Sequence, residues 1–545
     1  MFDYVVVGAG SAGCVLAHRL TEDPACRVLV VEAGGSDTFA LSRIPGAYPQ
    51  LQDTHYDWGY RTVPQRHLYG RRIFQPRGKV LGGSSAINYM VYIRGNRGDY
   101  DHWLDLGNGG WGFEDALPFF VRMECNQRIQ DAYHGSAGPI TVSDHCERNP
   151  LSSIFVEAAH EIGISLNGDF NGAVQEGCGY YQMTCRDSER CSAADGYLAP
   201  ILGRPNLKVV THAHVTRVLI EKGRAVGIEY LSPRQGLESQ YAADEVLLCA
   251  GAINSPQLLM LSGIGPADEL TRLGIEVWLD LPGVGRNFQD HLASFTRCTT
   301  KMSHSFAALP EAQRLAAIRD WETQRTGPLT SNFLEAGAFL RVDADDAFPN
   351  LQHFFLPFLR PDYPEGPRHQ RHGLTISSYV ARPKSIGRLT LATSNPLDKP
   401  VIDPNYLDDP YDVRAMLAGI RWNRRILAAK AFADVVGEEL TPGTTAESDE
   451  ELTEYIRKTA STSWHPVGTC KMGADAEAVV DSSLRVLGIE SLRVVDASIM
   501  PTMVSGNTNA PTMMIAEKAS DLIRGVRSTH SRSAAASPGI AQSTN

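Results

Sequence analysis

Two short segments near the C-terminal end of the chain set polar side chains among turn formers. They are Ser463-Trp464-His465-Pro466-Val467-Gly468-Thr469-Cys470 and Ser505-Gly506-Asn507-Thr508-Asn509-Ala510-Pro511-Thr512. Oxidation of an alcohol needs a base for the hydroxyl proton, a donor to hold the developing alkoxide, and an acceptor for the hydride. The imidazole of His465 titrates near neutrality and suits the first task. A side-chain amide suits the second, because it donates without competing for the proton. His465 is one of 16 histidines, and a lone histidine is ordinarily structural or on the surface. His465 and Cys470 have no companion ligands at usable spacing, so no metal is expected.

Protein side chains do not supply a hydride acceptor, but the opening of the chain is patterned for a nucleotide that does. Phe2 to Val7 reads as a fully buried strand, Ala12 to Leu20 as a helix and Arg27 to Val31 as a second buried strand, together one βαβ unit. Between the first strand and the helix lies Gly8-Ala9-Gly10-Ser11-Ala12-Gly13, a G-x-G-x-x-G in the context that gives the motif meaning. Gly8 permits the turn, Gly10 lets the backbone approach a pyrophosphate, and Gly13 lets helix and strand pack closely. The helix start offers free N–H groups and the positive end of its dipole. Glu32, at the end of the second strand, can accept from a ribose diol and would repel a 2′-phosphate, which favours FAD or NAD over NADP.

Two further glycine elements follow. One is Gly78-Lys79-Val80-Leu81-Gly82-Gly83-Ser84-Ser85-Ala86-Ile87-Asn88, whose small residues let the backbone press against a flat ring or a pyrophosphate. The other is Cys249-Ala250-Gly251-Ala252-Ile253-Asn254-Ser255-Pro256, which leads into Leu261-Ser262-Gly263-Ile264-Gly265. In this order, and with the two C-terminal segments, the blocks resemble the glucose–methanol–choline (GMC) flavin oxidoreductases. The resemblance runs to about residue 525 and looks nearest to choline-dehydrogenase-like bacterial members, including those acting on other primary alcohols.

The resemblance implies bound FAD. Gly8, Gly10, Ser11, Ala12, Gly13, Glu32, Ala33, Gly82, Gly83, Asn88, Val91, Val215, Ala250, Trp464, Asp496, Ala497 and Asn509 are the expected contacts. Some family members attach FAD through a histidine two residues after the Ser-Ser pair. Ile87 stands there, so non-covalent FAD is expected. The family pattern makes His465 the base and Asn509 the holder of the alkoxide, in oxidation of a primary alcohol to an aldehyde with hydride passing to flavin N5. Oxygen or a quinone- or dye-like molecule would then reoxidise the flavin. Rival readings are a cyanohydrin lyase or a fatty-acid photodecarboxylase on the same scaffold, and a flavin-binding protein without turnover. Glu335 and Phe354, with Phe355 and Phe358, are candidates for the substrate side.

These residues need a large framework. At 545 residues the chain exceeds one ordinary domain. The fold class implied by the resemblance is α/β, a Rossmann-type FAD-binding domain interleaved with an α+β substrate domain built on an antiparallel sheet. The expected division is 1–150, 190–300 and 480–525 for FAD, and 151–189 with 301–479 for substrate. His465 would lie at the interface, and 528–545 would be a disordered tail rich in Ser and Ala. Residues 207–250 read as a succession of short strands, and helical patterns recur at 411–428, 450–459 and 511–524.

The composition, 43% hydrophobic and 21% charged, is that of a water-soluble protein, and the net charge of −11 offers no field for nucleic acid. No stretch is apolar enough to span a bilayer and no signal peptide is read at the start. The 10 cysteines form no C-x-x-C pair, so a reducing cytoplasm is expected. The oligomeric state is left open.

Overall fold

A computed structural model describes residues 2–37, 39–233, 235–361 and 371–525. The expected tail at 528–545 lies outside these residues.

Strand β1 (Phe2–Val7), helix α1 (Ser11–Leu20) and strand β2 (Val28–Val31) form the βαβ unit at the start. Both strands are almost wholly apolar because they lie inside a parallel sheet covered on both faces. β1 pairs in parallel with β2 on one side and with the end of Gly236–Leu248 on the other. Leu207–Val210 adds beyond β2, and Leu492–Val494 adds beyond Gly236–Leu248, both parallel. The earlier part of Gly236–Leu248 pairs antiparallel with Arg224–Ser232, which pairs with His214–Glu221. One long strand therefore serves both the parallel sheet and an antiparallel meander.

α1 packs against the helix Asn509–Arg524, and a buried carboxylate ties them together. Glu517 accepts from Arg19 at 2.8 Å, Arg122 at 2.7 Å and Tyr197 at 2.6 Å.

The second sheet is antiparallel throughout. Its order is Val436–Thr441, Leu292–Thr300, Gly373–Val380, Leu351–Leu356, Ala336–Leu340 and Gly177–Tyr180, with Ser461–Thr462 paired to the start of Leu292–Thr300. Leu292–Thr300 is the second strand of this sheet and so joins the antiparallel layer just before residue 300. One face packs against the helices Pro150–Glu161, Pro410–Leu427 and Asp449–Thr459 through Phe155, Met416, Ile420 and Ile456. The other carries Phe295, Phe339, Phe354, Leu356 and Tyr379. No helix among the described residues is long and apolar enough to cross a membrane.

Candidate active site

The glycine motif closes by contact. Gly8 has φ +96°, and a Cβ there would stand 2.8 Å from the carbonyl of Cys249. A Cβ on Gly13 would lie 1.9 Å from the Gly8 carbonyl oxygen, so α1 reaches β1 only because that atom is absent. Gly83 meets Gly10 in the same way, with its Cβ position 2.7 Å from the Gly10 Cα. Gly82 joins the two loops by donating its N–H to the carbonyl of Ala9 at 2.8 Å. Gly13 and Gly82 thus stand behind the surface of the cavity that these loops frame.

That cavity is long. Glu32, Ala33 and Val215 line one end, and Trp464, His465, Asn507 and Phe354 line the other, with Gly8, Gly10, Ser11, Ala12, Gly83, Asn88, Val91, Ala250, Asp496, Ala497 and Asn509 also along it. The N-termini of α1 and of Asn509–Arg524 both open on it, and neither carries a side-chain cap or a first-turn acid. Their free N–H groups and dipoles favour an anion. Ser11 donates its hydroxyl to Asn509 Oδ1 at 2.7 Å and so ties the two helix starts together.

Glu32 is fixed by N–H groups of Ala9 and Gly34, both at 2.8 Å, and burial raises its pKa. Each of its oxygens keeps a further lone pair for a ligand hydroxyl. A backbone cradle, two uncapped helix starts and an acid at one end fit the phosphates and ribose of FAD.

At the far end, Thr462 leaves the antiparallel sheet and the chain turns sharply at Trp464, whose φ is +64°. A bulky residue holds that conformation only when its surroundings enforce it. Asp290 does so from the opposite side. One oxygen takes the Thr462 hydroxyl at 2.5 Å and the other takes the N–H of His465 at 2.8 Å. Gln75 and Tyr406 donate to the same carboxylate. The second segment is pinned by Asp99, which accepts the N–H of Ser505 at 2.7 Å and its hydroxyl at 2.8 Å.

These anchors bring His465 Nε2 to 3.2 Å from the amide nitrogen of Asn507, while His465 Nδ1 lies 2.9 Å from Nδ1 of His291. Burial, and after it the neighbouring His291 and Arg77, hold His465 well below the ordinary histidine pKa.

The amide beside His465 is that of Asn507, whereas the sequence pointed to Asn509. Asn509 opens the helix and bonds Ser11 on the cofactor side. Both asparagines stand in one turn-rich segment, and nothing in the sequence orders their side chains.

Glu335 also departs from expectation. It is 1% exposed, accepts the Ser331 hydroxyl at 2.6 Å and the Asn149 N–H at 2.7 Å, and is absent from the cavity wall. Phe354 lines the cavity, whereas Phe355, one residue on, faces the helices and stacks on Phe155. Phe358 packs beside Phe333. Asp290 and His291 escaped the sequence reading because their partners Thr462, His465 and Ala381 lie far along the chain.

Away from the cavity, His134 lies between Glu124 at 3.1 Å and Asp169 at 2.9 Å. Although burial opposes its charge, these carboxylates raise its pKa to about 9, and with both ring nitrogens engaged the group forms an ion pair.

The N-terminal sequence profile of GMC oxidoreductases matches residues 2–293 and the C-terminal one residues 383–516. An alcohol dehydrogenase [acceptor] from Pseudomonas putida is 46% identical over 535 residues, 96% of each chain. The mitochondrial choline dehydrogenase of Homo sapiens is 46% identical over 536 residues, 96% of this chain and 90% of that one. Among solved structures, pyridoxine 4-oxidase from Mesorbium loti superposes with a TM-score of 0.88 at 33% identity, covering 97% of this chain and 100% of that one. The chain belongs to the GMC oxidoreductase family of FAD-dependent enzymes.

Proposed function

We propose that the chain oxidises an uncharged primary alcohol to its aldehyde, with His465 as base and Asn507 as the donor beside it. One observation carries this reading. An imidazole nitrogen and an amide N–H₂ lie 3.2 Å apart at one end of a cavity whose other end is built for a dinucleotide. His465 Nε2 takes the hydroxyl proton, and Asn507 holds the oxygen as negative charge develops on it. FAD, when bound, supplies the hydride acceptor at N5. Gly10, Ser11, Glu32, Asp496 and Asn509 would hold it, and Ile87 at the cavity wall replaces the histidine of covalent relatives, so the cofactor is non-covalent.

The wall near His465 sets the substrate class. Tyr89, Phe295, Leu334, Phe354, Leu356 and Trp464 line it, an apolar surface that takes an alkyl or aryl group and excludes water. The carboxylates among the described lining residues are Glu32 and Asp496, both accepting from backbone N–H groups, and the charged groups Arg77 and Arg360 are cations. A quaternary ammonium finds no counter-charge there. The ten cysteines stand as free thiols, which supports a cytoplasmic setting.

Anaerobic mixing with alcohols tests the reading. The visible flavin band should bleach with hexan-1-ol and 3,3-dimethylbutan-1-ol and release the aldehyde. It should bleach far more slowly with choline, which has the shape of the second alcohol and a charge besides. His465→Ala should abolish bleaching with FAD retained. Oxygen and a quinone-like dye, offered in competition, then identify the acceptor. A flavin left oxidised by every alcohol, or bleached equally fast in His465→Ala, rejects the reading, and preference for choline over its neutral isostere rejects the substrate class.

A further inference from the structure

The proton inventory around His465 is fixed by an atom that can only accept. His291 Nε2 lies 3.0 Å from the carbonyl oxygen of Ala381, so this nitrogen carries a hydrogen. A neutral imidazole has one N–H, which leaves His291 Nδ1 as an acceptor. His465 Nδ1, 2.9 Å away, must then be the donor. His465, with its own single hydrogen committed to Nδ1, presents an unprotonated Nε2, and the amide of Asn507 donates to it at 3.2 Å. The chain runs one way: Asn507 N–H to His465, His465 N–H to His291, His291 N–H to Ala381.

We propose that His291 is the positioning residue of this site. It holds His465 in the one tautomer whose Nε2 carries a lone pair and no hydrogen, so that a substrate hydroxyl can take the place of the Asn507 N–H there. The proposal rests on the reading of His465 as the base.

His291 must stay neutral for this role, and its surroundings see to that. It is fully buried and stacks on Tyr379 with ring centres 4.5 Å apart. Burial pushes its pKa down to about 4, against the opposing pull of the Ala381 carbonyl, Asp290 and Asp99. Asp290 is close but touches neither ring, since its oxygens take the backbone N–H groups of His291 and His465 and the side chains of Thr462, Gln75 and Tyr406. Arg77, which donates to the carbonyl of Trp464, adds positive charge near His465.

A catalytic triad places a carboxylate where His291 stands and so stabilises the imidazolium. A neutral imidazole fixes the tautomer equally well without raising the affinity of Nε2 for a proton. The base therefore stays unprotonated from neutral pH upward and loses its function only as pH falls through its lowered pKa.

The test compares three variants of the holoenzyme with a direct look at the tautomer. His291→Leu removes the acceptor and frees His465 to place its hydrogen on Nε2. The limiting rate of flavin reduction should fall ~100-fold or more, the scale of a lost general base, with KM changed little. His291→Asn keeps an acceptor oxygen where Nδ1 stood and should recover most of that rate. His291→Asp keeps the acceptor and adds charge, so the acid limb of the rate–pH profile should move to higher pH. In the unmutated holoenzyme, ¹⁵N resonances assigned by difference from His465→Gln should show Nδ1 of His465 protonated and Nε2 bare.

A hydrogen on Nε2, or a Leu variant reducing its flavin within threefold of the parent rate, overturns the proposal. Should the Leu variant lose its FAD, the Asn and Asp variants and the ¹⁵N measurement decide. Reduction that survives His465→Ala instead removes the base reading, which leaves the two failures distinguishable.

Discussion

Asn507 and Asn509 stand two residues apart and serve different partners. Asn507 reaches His465 across the cavity, whereas Asn509 sits in the first turn of a helix and takes a hydroxyl hydrogen from Ser11. Their alanine variants should separate accordingly. Asn507→Ala removes a donor aimed at the developing alkoxide, and the loss of one such donor lowers turnover by about 100- to 1,000-fold. FAD content should not change. Asn509→Ala leaves His465 and Asn507 in place but unpairs Ser11 at the phosphate-binding helix start, so FAD should bind more weakly while saturated enzyme turns over near the parent rate. Stopped-flow reduction at saturating alcohol, beside a flavin titration of each apoprotein, checks both outcomes. The reverse pattern would return the alkoxide-holding role to Asn509.

At the scale of elements, the contact between β1 and α1 is the most demanding in the nucleotide half. In Gly13→Ala the added Cβ would fall 1.9 Å from the Gly8 carbonyl oxygen, a backbone atom that cannot step aside. α1 must lift from the sheet, at a penalty of about 1–3 kcal/mol typical of overpacking, and its N-terminus leaves the phosphate position. Lower Tm in the apoprotein together with weaker FAD binding is the expected result, measured by calorimetry and flavin fluorescence. This contact was legible in the sequence, because a motif with fixed spacing between a strand and a helix leaves one way to pack. The strand Leu207–Val210 and the helices Pro410–Leu427, Asp449–Thr459 and Asn509–Arg524 were legible for a similar reason, their periodicity being local. Side-chain partners across the fold were not. Strand alternation alone sends Phe354 and Phe355 to opposite faces, but which face meets the cavity depends on helices more than fifty residues away. Glu335 stands in the sequence as a candidate for the substrate side because one of the groups that satisfies it, the Asn149 N–H, lies 186 positions away. His291 was hidden because its role comes from Ala381 and His465, 90 and 174 positions along the chain.

At the scale of the whole molecule, the cavity draws one wall from each sheet: Gly8 and Glu32 from the parallel one, Phe295, Phe354 and Ser377 from the antiparallel one. Neither wall exists in the unfolded chain, so FAD held without a covalent link, as proposed above, would bind the native state alone and stabilise it by mass action, about 2.7 kcal/mol when free FAD is 100 times its Kd. Tm should therefore rise with FAD concentration, by a few degrees over that range, and fall when FAD is stripped. A covalent cofactor behaves otherwise, since it remains on the unfolded chain and no free concentration can shift the equilibrium. Ile87 offers no nucleophile where covalent relatives carry a histidine, and the Ser11, Glu32 and Asn509 contacts are all reversible hydrogen-bonding groups. Acid precipitation should consequently leave a colourless pellet and a yellow supernatant. Thermal scans across an FAD series should show the concentration dependence, and a yellow pellet with a Tm indifferent to added FAD would show that another residue holds the flavin covalently.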